Sequence, residues 1–272
     1  MTSTLPPERL TELDAFLAEL NAEAAAAILP LFRTRPEIQN KLESAGRFDP
    51  VTAADKAGEA AIRALIARRY PQHGVVGEEY GEDRPDAELV WVIDPIDGTR
   101  AFMGGLPLWT TLIGLRIEGR PVLGSIAQPY IGELFIGSAA GARIDRGGDS
   151  TALRTADCPG LAAATVATTD PDLFAAERGE GWRALRSACR VARYGCDAYA
   201  YAMVAMGQLD LVVEDGLNPW DLQPALPVIA GAGGLVTDWR GRPVRDHSPQ
   251  VIIAGDPRCL EEAVRILQPC AA

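Results

Sequence analysis

The N-terminal part of the chain contains two stretches with helical hydrophobic spacing. Between residues 8 and 31, apolar side chains recur every three or four positions, which is the stripe of an amphipathic helix, and Pro30 and Pro36 bracket its end. A second stretch, 54–69, carries small and apolar side chains at the same spacing, has basic residues in its last turn, and stops before Pro71. The pattern therefore predicts two N-terminal helices.

Short apolar runs bounded by turn residues follow these helices. A run at 89–93 (LVWVI) ends in an Asp-Pro turn signal, and a shorter run at 73–76 precedes the triplet Gly-Glu-Glu. Three further runs are separated by Gly-containing turns and predict an antiparallel meander of strands. These runs are 110–117, 122–127 and 133–137.

The pattern changes after a Gly-rich, polar stretch at 140–150. Beyond it, apolar runs alternate with helical patterns, as expected for an α/β region. We therefore place a boundary between an N-terminal α+β subdomain (1–145) and a C-terminal α/β subdomain (146–272). The predicted C-terminal strands lie near 162–168, 209–214, 234–237 and 251–254, and the predicted helices at 182–189, 198–206, 219–232 and 257–267.

Composition narrows the class of protein. The 272 residues are 47% hydrophobic and 23% charged, which is typical of a folded globular chain. The net charge of −11 disfavours a broad nucleic-acid-binding surface. The five cysteines include no CxxC pair, which argues against a disulfide framework or a zinc finger. The first ten residues lack the pattern of a secretory signal, and the sequence has no apolar run of about 18 residues that would span a membrane. We therefore expect a cytoplasmic protein.

Acidic residues stand at several predicted strand ends and helix starts. The segment 94–99 (DPIDGT) follows an apolar run directly, Glu78 and Glu79 follow another, and Asp221 opens a predicted helix. An isolated Asp-Pro-x-Asp-Gly segment is also typical of a simple turn. Hard divalent cations such as Mg²⁺ prefer oxygen ligands, which these acids supply. With two histidines in the whole chain, a zinc enzyme is disfavoured.

Four motifs in chain order resemble those of the Mg²⁺-dependent inositol monophosphatase superfamily of small-molecule phosphatases. They are 49–55 (D-x-V-T-x-x-D), 77–79 (G-E-E), 94–99 (D-P-I-D-G-T), and 220–221 with 231–234 (W-D and A-G-G). The resemblance implies an alternating α/β/α/β/α sandwich, two or three Mg²⁺ ions per active site and a homodimer. It also implies that residues 1–145 carry most of the metal-binding motifs and that 146–272 complete the active site. The implied metal ligands are Glu78, Asp94, the carbonyl of Ile96, Asp97 and Asp221.

The expected chemistry is hydrolysis of a phosphate monoester by a metal-activated water. Two metal ions about 4 Å apart can clamp the attacking and leaving oxygens and lower the pKa of a bound water. We expect the Thr99 hydroxyl to bridge that water to Asp49, with Glu78 taking part in water activation. The amides of Asp97, Gly98 and Thr99 would face the phosphate if a helix begins there. Asp49 and Thr52 also suit N-capping of the helix that begins near residue 54, and for Thr52 this can be the sole role.

Within the superfamily, the sequence is most similar to histidinol-phosphate phosphatases. The similarity rests on segments 48–52, 168–174, 194–199 and 211–217, whereas Trp220 stands where that type often has Tyr or Phe. L-histidinol phosphate carries an ammonium group and an imidazole, whereas inositol phosphate offers neutral hydroxyls beyond its phosphate. Carboxylates near the alcohol moiety would therefore favour the amino alcohol.

Asp197 and Glu214 are the candidates for these carboxylates, and the resemblance places Glu214 as a substrate contact. The alternative for Asp197 is that it caps the helix that begins near it. Lys41 is a candidate to reach the substrate from its loop, although lone lysines are usually solvated. The alternatives are an inositol-1-phosphate phosphatase, a nucleotide 3′-phosphatase, or a non-catalytic Ca²⁺-binding protein. The wide spacing of the acids, from Glu78 to Asp221, disfavours the last of these.

Overall fold

The computed structural model describes residues 5–34, 38–40, 50–174, 176–244 and 248–271. Helix α1 (Pro7–Ile28) continues into a 3-10 turn, Leu29–Leu31, and a short antiparallel pair follows, β1 (Ile38–Asn40) with β2 (Pro50–Thr52). Helix α2 (Ala53–Arg69) starts at a capping box. These are the two helices that the hydrophobic spacing predicts.

Eight strands form the larger sheet: β3 (Gly74–Gly77), β4 (Gly81–Asp83), β5 (Leu89–Asp97), β6 (Thr110–Ile117), β7 (Arg120–Gln128), β8 (Glu133–Ser138), β9 (Gly141–Arg146) and β10 (Asp149–Ala152). Their order across the sheet is β10-β9-β8-β7-β6-β5-β3-β4, and only β3 and β5 run parallel. α1 and α2 cover one face, where Phe16 and Leu17 pack with Trp91 and Trp109. The predicted meander is confirmed as β6, β7 and β8.

Five strands form the smaller sheet: β11 (Thr165–Thr168), β12 (Val191–Tyr194), β13 (Leu211–Asp215), β14 (Leu235–Thr237) and β15 (Gln250–Ala254). Their order is β12-β11-β13-β15-β14, with β11 parallel to both of its neighbours. Leu211 and Val213 enter one hydrophobic cluster, whereas Val212 between them enters another. Because both faces of β13 are buried, this strand reads as a continuous apolar run.

The described residues form six further α-helices: α3 (Thr99–Met103), α4 (Ala176–Ala188), α5 (Asp197–Ala205), α6 (Pro219–Leu222), α7 (Leu226–Gly231) and α8 (Pro257–Leu267). α5 and α7 pack between the two sheets, and α4 and α8 cover the outer face of the smaller sheet. The layers therefore alternate as α/β/α/β/α, which confirms the expected architecture. None of the described helices combines the length and apolar character that a membrane span needs.

Close packing of the middle layer depends on glycines of the larger sheet. A Cβ on Gly124 would lie 2.0 Å from the Pro224 carbonyl oxygen, and one on Gly137 would lie 2.3 Å from Pro227 O. The segment 219–232 was expected to be one helix, but Pro224 and Pro227 lack the amide hydrogens that a continuous helix needs. The segment is therefore divided into α6 and α7, and the prediction of a single helix was wrong.

Other differences from the predicted elements concern short strands and the limits of one helix. The polar stretch 140–150 forms the β9–β10 hairpin, whose turn uses the positive φ of Gly147 and Gly148. The hydrophobic pattern did not predict β4 and β12, because their side chains are largely exposed. Helix α4 begins at residue 176 rather than 182. Residue 145 lies within β9, and the division into subdomains 1–145 and 146–272 stays a prediction.

Candidate active site

A cavity of about 590 Å³ lies where the ends of β5 and β13 meet the starts of α3, α5 and α6. Among the described residues that line it, seven are acidic and one, Arg100, is basic. The cavity is therefore strongly negative before any ligand enters. Its acidic residues are Glu78, Asp94, Asp97, Asp197, Glu214, Asp215 and Asp221.

Three aspartates in this cavity come together at one point. Asp94, Asp97 and Asp221 each present a carboxylate oxygen, and these oxygens all lie within 4.8 Å of one another. An irregularity in the pairing of β5 with β6 between Asp94 and Asp97 lets both residues turn toward the cavity. Asp221 is held by its own helix start, because its Oδ2 accepts a hydrogen bond of 2.7 Å from Asn218 N.

The electrostatics of this cluster favour a cation. Burial raises the pKa of Asp94 well above its usual value, and the charges of Glu78, Asp97 and Asp221 raise it further. Burial also raises the pKa of Asp97 well above its usual value, followed by the charges of Asp197 and Asp221. A divalent ion would remove this repulsion, and carboxylate oxygens are the donors that hard cations prefer. The residues present therefore fit a site for such ions.

Two further predicted ligands adjoin the cluster. Glu78 follows β3 and lies within hydrogen-bonding reach of Asp94. Ile96 lines the same cavity, and its carbonyl oxygen accepts a 3.1 Å hydrogen bond from the Thr99 hydroxyl. The structure thus brings together all five residues predicted as metal ligands, and their binding roles stay predictions.

The turn from β5 into α3 places Thr99 at the cavity floor. Gly98 adopts a φ of +83°, which a side chain would disfavour, and Ala101 N and Phe102 N donate to its carbonyl oxygen. Gly98 and Thr99 both line the cavity at the start of this helix. A helix therefore begins at Thr99, which is the condition stated above for the amides of this segment to face a phosphate.

The Thr99 hydroxyl also lies 3.4 Å from Oδ1 of Asp55. Oδ2 of Asp55 accepts 2.8 and 2.6 Å hydrogen bonds from the amide and hydroxyl of Thr52. Burial raises the pKa of Asp55. Asp49, the predicted partner of Thr99, and Lys41 lie outside the described residues.

The sequence analysis therefore missed Asp55, the final residue of the D-x-V-T-x-x-D motif. Two signals in the sequence point to it. The first is its place three residues after Thr52, which is the spacing of a capping box. The second is its position in the first turn of α2, which places it at the end of the helix that faces the motif 94–99.

Asp197 lies directly against this turn. Its Oδ2 is 3.0 Å from the point that a Cβ on Gly98 would occupy. Asp197 has a positive φ of 45° and does not cap α5, because the amide of Ala198 donates instead to Oδ2 of Asp97 at 2.6 Å. The alternative that Asp197 is the helix cap was therefore wrong.

Glu214 is buried at the end of β13, and the chain supplies its hydrogen bonds. Oε1 accepts from the amide and hydroxyl of Thr169 at 2.8 and 3.0 Å, and Oε2 accepts from the Thr168 hydroxyl at 3.2 Å. The Thr169 hydroxyl also lies within hydrogen-bonding reach of Asp197, so Thr169 adjoins both acids. Burial raises the pKa of Glu214 to about 8 and that of Asp197 to about 6.

Several other cavity residues were given no role from the sequence, among them Thr169, Tyr201 and Arg100. Thr169 adjoins both acids, Tyr201 is buried one helical turn after Asp197, and Arg100 makes an ion pair of 3.1 Å with Asp170 at the exposed side. Burial raises the pKa of Tyr201 well above its usual value, and nearby carboxylates add to the effect. The i, i+4 spacing from Asp197 is the one sequence signal for Tyr201.

Comparisons with known proteins agree with this geometry. "Bifunctional phosphatase IMPL2, chloroplastic" from Arabidopsis thaliana is 43% identical over 237 residues, which cover 85% of this chain and 66% of that relative. A histidinol-phosphatase from Chlorobaculum parvum is 34% identical over 194 residues, which cover 71% of this chain and 74% of that relative. The solved structure of an inositol monophosphatase from Zymomonas mobilis superposes with a TM-score of 0.84 at 38% identity, covering 95% of this chain and 98% of that one.

The family model supplies the broadest match. The model described as "Inositol monophosphatase family" matches residues 9–271, which is nearly the whole chain. This family of phosphatases is generally metal-dependent, in agreement with the acidic cluster. The chain belongs to the inositol monophosphatase family.

Proposed function

We propose that this protein is a Mg²⁺-dependent phosphate monoester hydrolase acting on the phosphate ester of a cationic amino alcohol, and that its substrate is L-histidinol phosphate. The observation that carries this proposal is the position of Asp197. Its carboxylate lies against Gly98, beside the aspartate cluster, with a second buried acid, Glu214, behind it. The similarity to a histidinol-phosphatase supports the same substrate.

In this proposal, the metal ligands are Glu78, Asp94, the Ile96 carbonyl, Asp97 and Asp221. When bound, the Mg²⁺ ions supply Lewis-acid stabilisation of the phosphoryl oxygens and lower the pKa of a bound water. The chain contributes the arrangement of carboxylates, which are held in place by β5 and by the short helix α6.

The Thr99 hydroxyl orients the attacking water. Its hydrogen has two acceptors, the Ile96 carbonyl at 3.1 Å and Asp55 Oδ1 at 3.4 Å. While that hydrogen is donated, a lone pair of Thr99 Oγ1 remains to accept a hydrogen bond from water. The oxygen of that water is then left to face phosphorus. In this scheme Asp55, whose contact with Thr99 is observed, takes the role that the sequence analysis gave to Asp49.

The substrate phosphate lies beside the first residues of α3. The backbone amides of Gly98 and Thr99 are placed at the start of this helix, on the cavity wall. Amides at such a position donate to anionic oxygens. This arrangement orients the ester with its alcohol moiety toward Asp197 and Glu214.

The two acids contribute differently to selectivity. Glu214 already accepts three hydrogen bonds from Thr168 and Thr169, so it acts mainly by fixing Thr169. Asp197 is the acid that contacts the substrate cation, with a charge-assisted hydrogen bond. Burial raises the pKa of Asp197 to about 6. A cation bound beside this carboxyl favours its ionised form.

The decisive experiment measures phosphate release from L-histidinol phosphate, inositol 1-phosphate and phosphoadenosine phosphate, in Mg²⁺ and in Ca²⁺. We expect kcat/KM to be highest for L-histidinol phosphate, and we expect phosphate release to require Mg²⁺. A preference for inositol 1-phosphate would favour the alternative supported by the solved inositol monophosphatase structure. Metal binding with no turnover of any ester would contradict the enzyme assignment. The cytoplasmic location and the homodimer stay predictions from the sequence.

A further inference from the structure

The segment that follows β3 wraps around a buried carboxylate of α2. Glu59 is fully buried, its Oε2 accepts a 2.7 Å hydrogen bond from Glu79 N, and its Oε1 accepts one of 3.2 Å from Tyr80 N. Arg63, one turn further along α2, donates from Nε to the same carboxylate at 2.7 Å. Glu78 is the residue immediately before these amides. Glu59 therefore holds the backbone that carries a predicted metal ligand.

The two segments approach closely at the end of β3. A Cβ on Gly77 would lie 2.1 Å from Oε1 of Glu59, so a larger residue there would displace this carboxylate. On its other side, Glu78 N donates to the carbonyl oxygen of Ile93 in β5 at 3.2 Å. The backbone of Glu78 is thus fixed between α2 and β5.

The same helix also reaches two other parts of the site. Asp55, which contacts Thr99, lies four residues before Glu59 and therefore on the same side of α2. Gly58 faces the 94–99 segment on one side, because a Cβ there would lie 3.2 Å from Pro95 Cβ as well as 2.7 Å from Ile28 Cδ1. One rigid helix consequently contacts the Glu78 segment, Thr99 and the segment that carries Asp94 and Asp97.

We propose that Glu59 is a positioning residue that orients Glu78 for cation binding, so that α2 sets the relation between the metal site and the water-orienting Thr99. This inference rests on the proposed function in one respect, namely that Glu78 binds the ion. Outer partners of metal ligands commonly contribute 10- to 100-fold to metal affinity. Glu59 acts on the ligand through the backbone rather than by touching the ion.

The primary test is Glu59→Gln in the full chain. In the variant, the Gln carbonyl can replace only one carboxylate oxygen, and its NH₂ group then faces a backbone amide that needs an acceptor. We expect the Kd for Mg²⁺, measured by titration calorimetry without substrate, to rise roughly tenfold or more. Turnover should recover partly at high Mg²⁺, since the ligands themselves remain.

Asp256→Asn is the matched control. Asp256 is also a buried carboxylate, and it accepts hydrogen bonds from Cys158 N at 3.0 Å and from Arg258 N at 2.8 Å. It lies outside the lining of the active-site cavity. We expect this variant to lower the Tm of the metal-free protein and to leave the Kd for Mg²⁺ unchanged.

The outcomes separate the two proposals. A Glu59→Gln protein with a lowered Tm and an unchanged Kd for Mg²⁺ would show a merely structural role and overturn the inference. If Glu78→Gln itself leaves Mg²⁺ binding intact, the metal assignment of the proposed function fails instead. Should Glu59→Gln not fold, Glu59→Asp decides by the same criterion, because it keeps the charge but withdraws it from the amides by one methylene.

Discussion

Buried carboxylates occur in two kinds of surroundings in this molecule. Glu59 and Asp256 each accept hydrogen bonds from two backbone amides and one arginine. Asp94, Asp97 and Asp221 instead face one another, with oxygens within 4.8 Å. The first two acids are neutralised by the chain, whereas the three aspartates need a partner from outside it.

The pKa values follow this difference. Hydrogen bonding to the Arg258 side chain lowers the pKa of Asp256, whereas burial raises the pKa of Asp94 well above its usual value. Burial alone therefore does not distinguish a structural acid from a functional one. The charge of the neighbours does so, because an arginine pairs with Glu59 and with Asp256, whereas the three aspartates face other carboxylates. This difference identifies the aspartate cluster as a place where stability is given up for ligand binding.

The largest expected effect comes from removing one charge of the cluster. Asp94→Asn keeps the shape of the side chain but weakens cation binding, so we expect kcat to fall by about 10³-fold or more. Because the repulsion with neighbouring carboxylates is also reduced, the metal-free variant should unfold at the same temperature as the wild type or higher. Steady-state kinetics at saturating Mg²⁺ and thermal unfolding in chelator measure the two effects.

The Asp94→Asn variant tests whether the clustered aspartates differ from Asp256 in this way. Near-normal turnover of Asp94→Asn in saturating Mg²⁺ would contradict the metal assignment. A large loss of stability in the metal-free protein would mean that Asp94 resembles Asp256, whose own Asn variant should lose stability without losing activity. Both results are read from the same two measurements.

The next effect concerns the water-orienting pair. Thr99→Ala removes the hydroxyl that would orient the attacking water, so kcat should fall by about 10²-fold with little change in KM. Asp55→Asn keeps a hydrogen-bond acceptor for Thr99 and should cost less. A raised KM with unchanged kcat would make Thr99 a binding residue and contradict the scheme.

Local signals in the sequence predicted the acidic positions and the alternation of strands and helices, whereas the layers and the set of metal ligands were implied by the resemblance to the inositol monophosphatase superfamily. The 94–99 motif directly follows an apolar strand, and the alternation of strands and helices after residue 150 implies a second sheet. The contacts of Asp55 with Thr99 and of Thr169 with Glu214 join segments more than 40 residues apart, which spacing does not reveal. The division of 219–232 was missed because its two prolines were read within one helical pattern, although Pro disfavours a helix interior.

A smaller effect tests substrate selectivity. Asp197→Ala removes one charge-assisted contact worth about 1.5–3 kcal/mol. The preference for L-histidinol phosphate over a neutral phosphate ester should therefore fall by roughly one to two powers of ten in kcat/KM. An equal loss on both esters would indicate damaged packing beside Gly98, and the substrate class would then be open again.

A separate effect, on stability rather than activity, concerns Glu214, whose pKa is raised by burial from 4.5 to about 8. Between these pH values the folded protein binds more protons than the unfolded chain. The free energy of unfolding therefore falls as the pH rises, by at most about 1.4 kcal/mol per pH unit for this group. Glu214→Gln removes the titration and keeps an oxygen acceptor for Thr169. The stability of the variant relative to wild type should consequently increase from pH 4.5 to pH 8 and then stay constant.

Denaturant unfolding of the metal-free proteins at pH 5, 6.5 and 8 measures this trend, and Asp256→Asn again provides the contrast. The pKa of Asp256 lies below its usual value of 3.8, so its stabilisation is complete above that pH and is lost only as the pH falls further. The difference between Asp256→Asn and wild type should therefore be constant from pH 5 to 8. If Glu214→Gln also shows a constant difference, Glu214 is ionised throughout this range. Glu214 would then belong with Glu59 and Asp256 as an acid that the chain itself neutralises, and Asp197 would be left as the acid that senses the substrate cation.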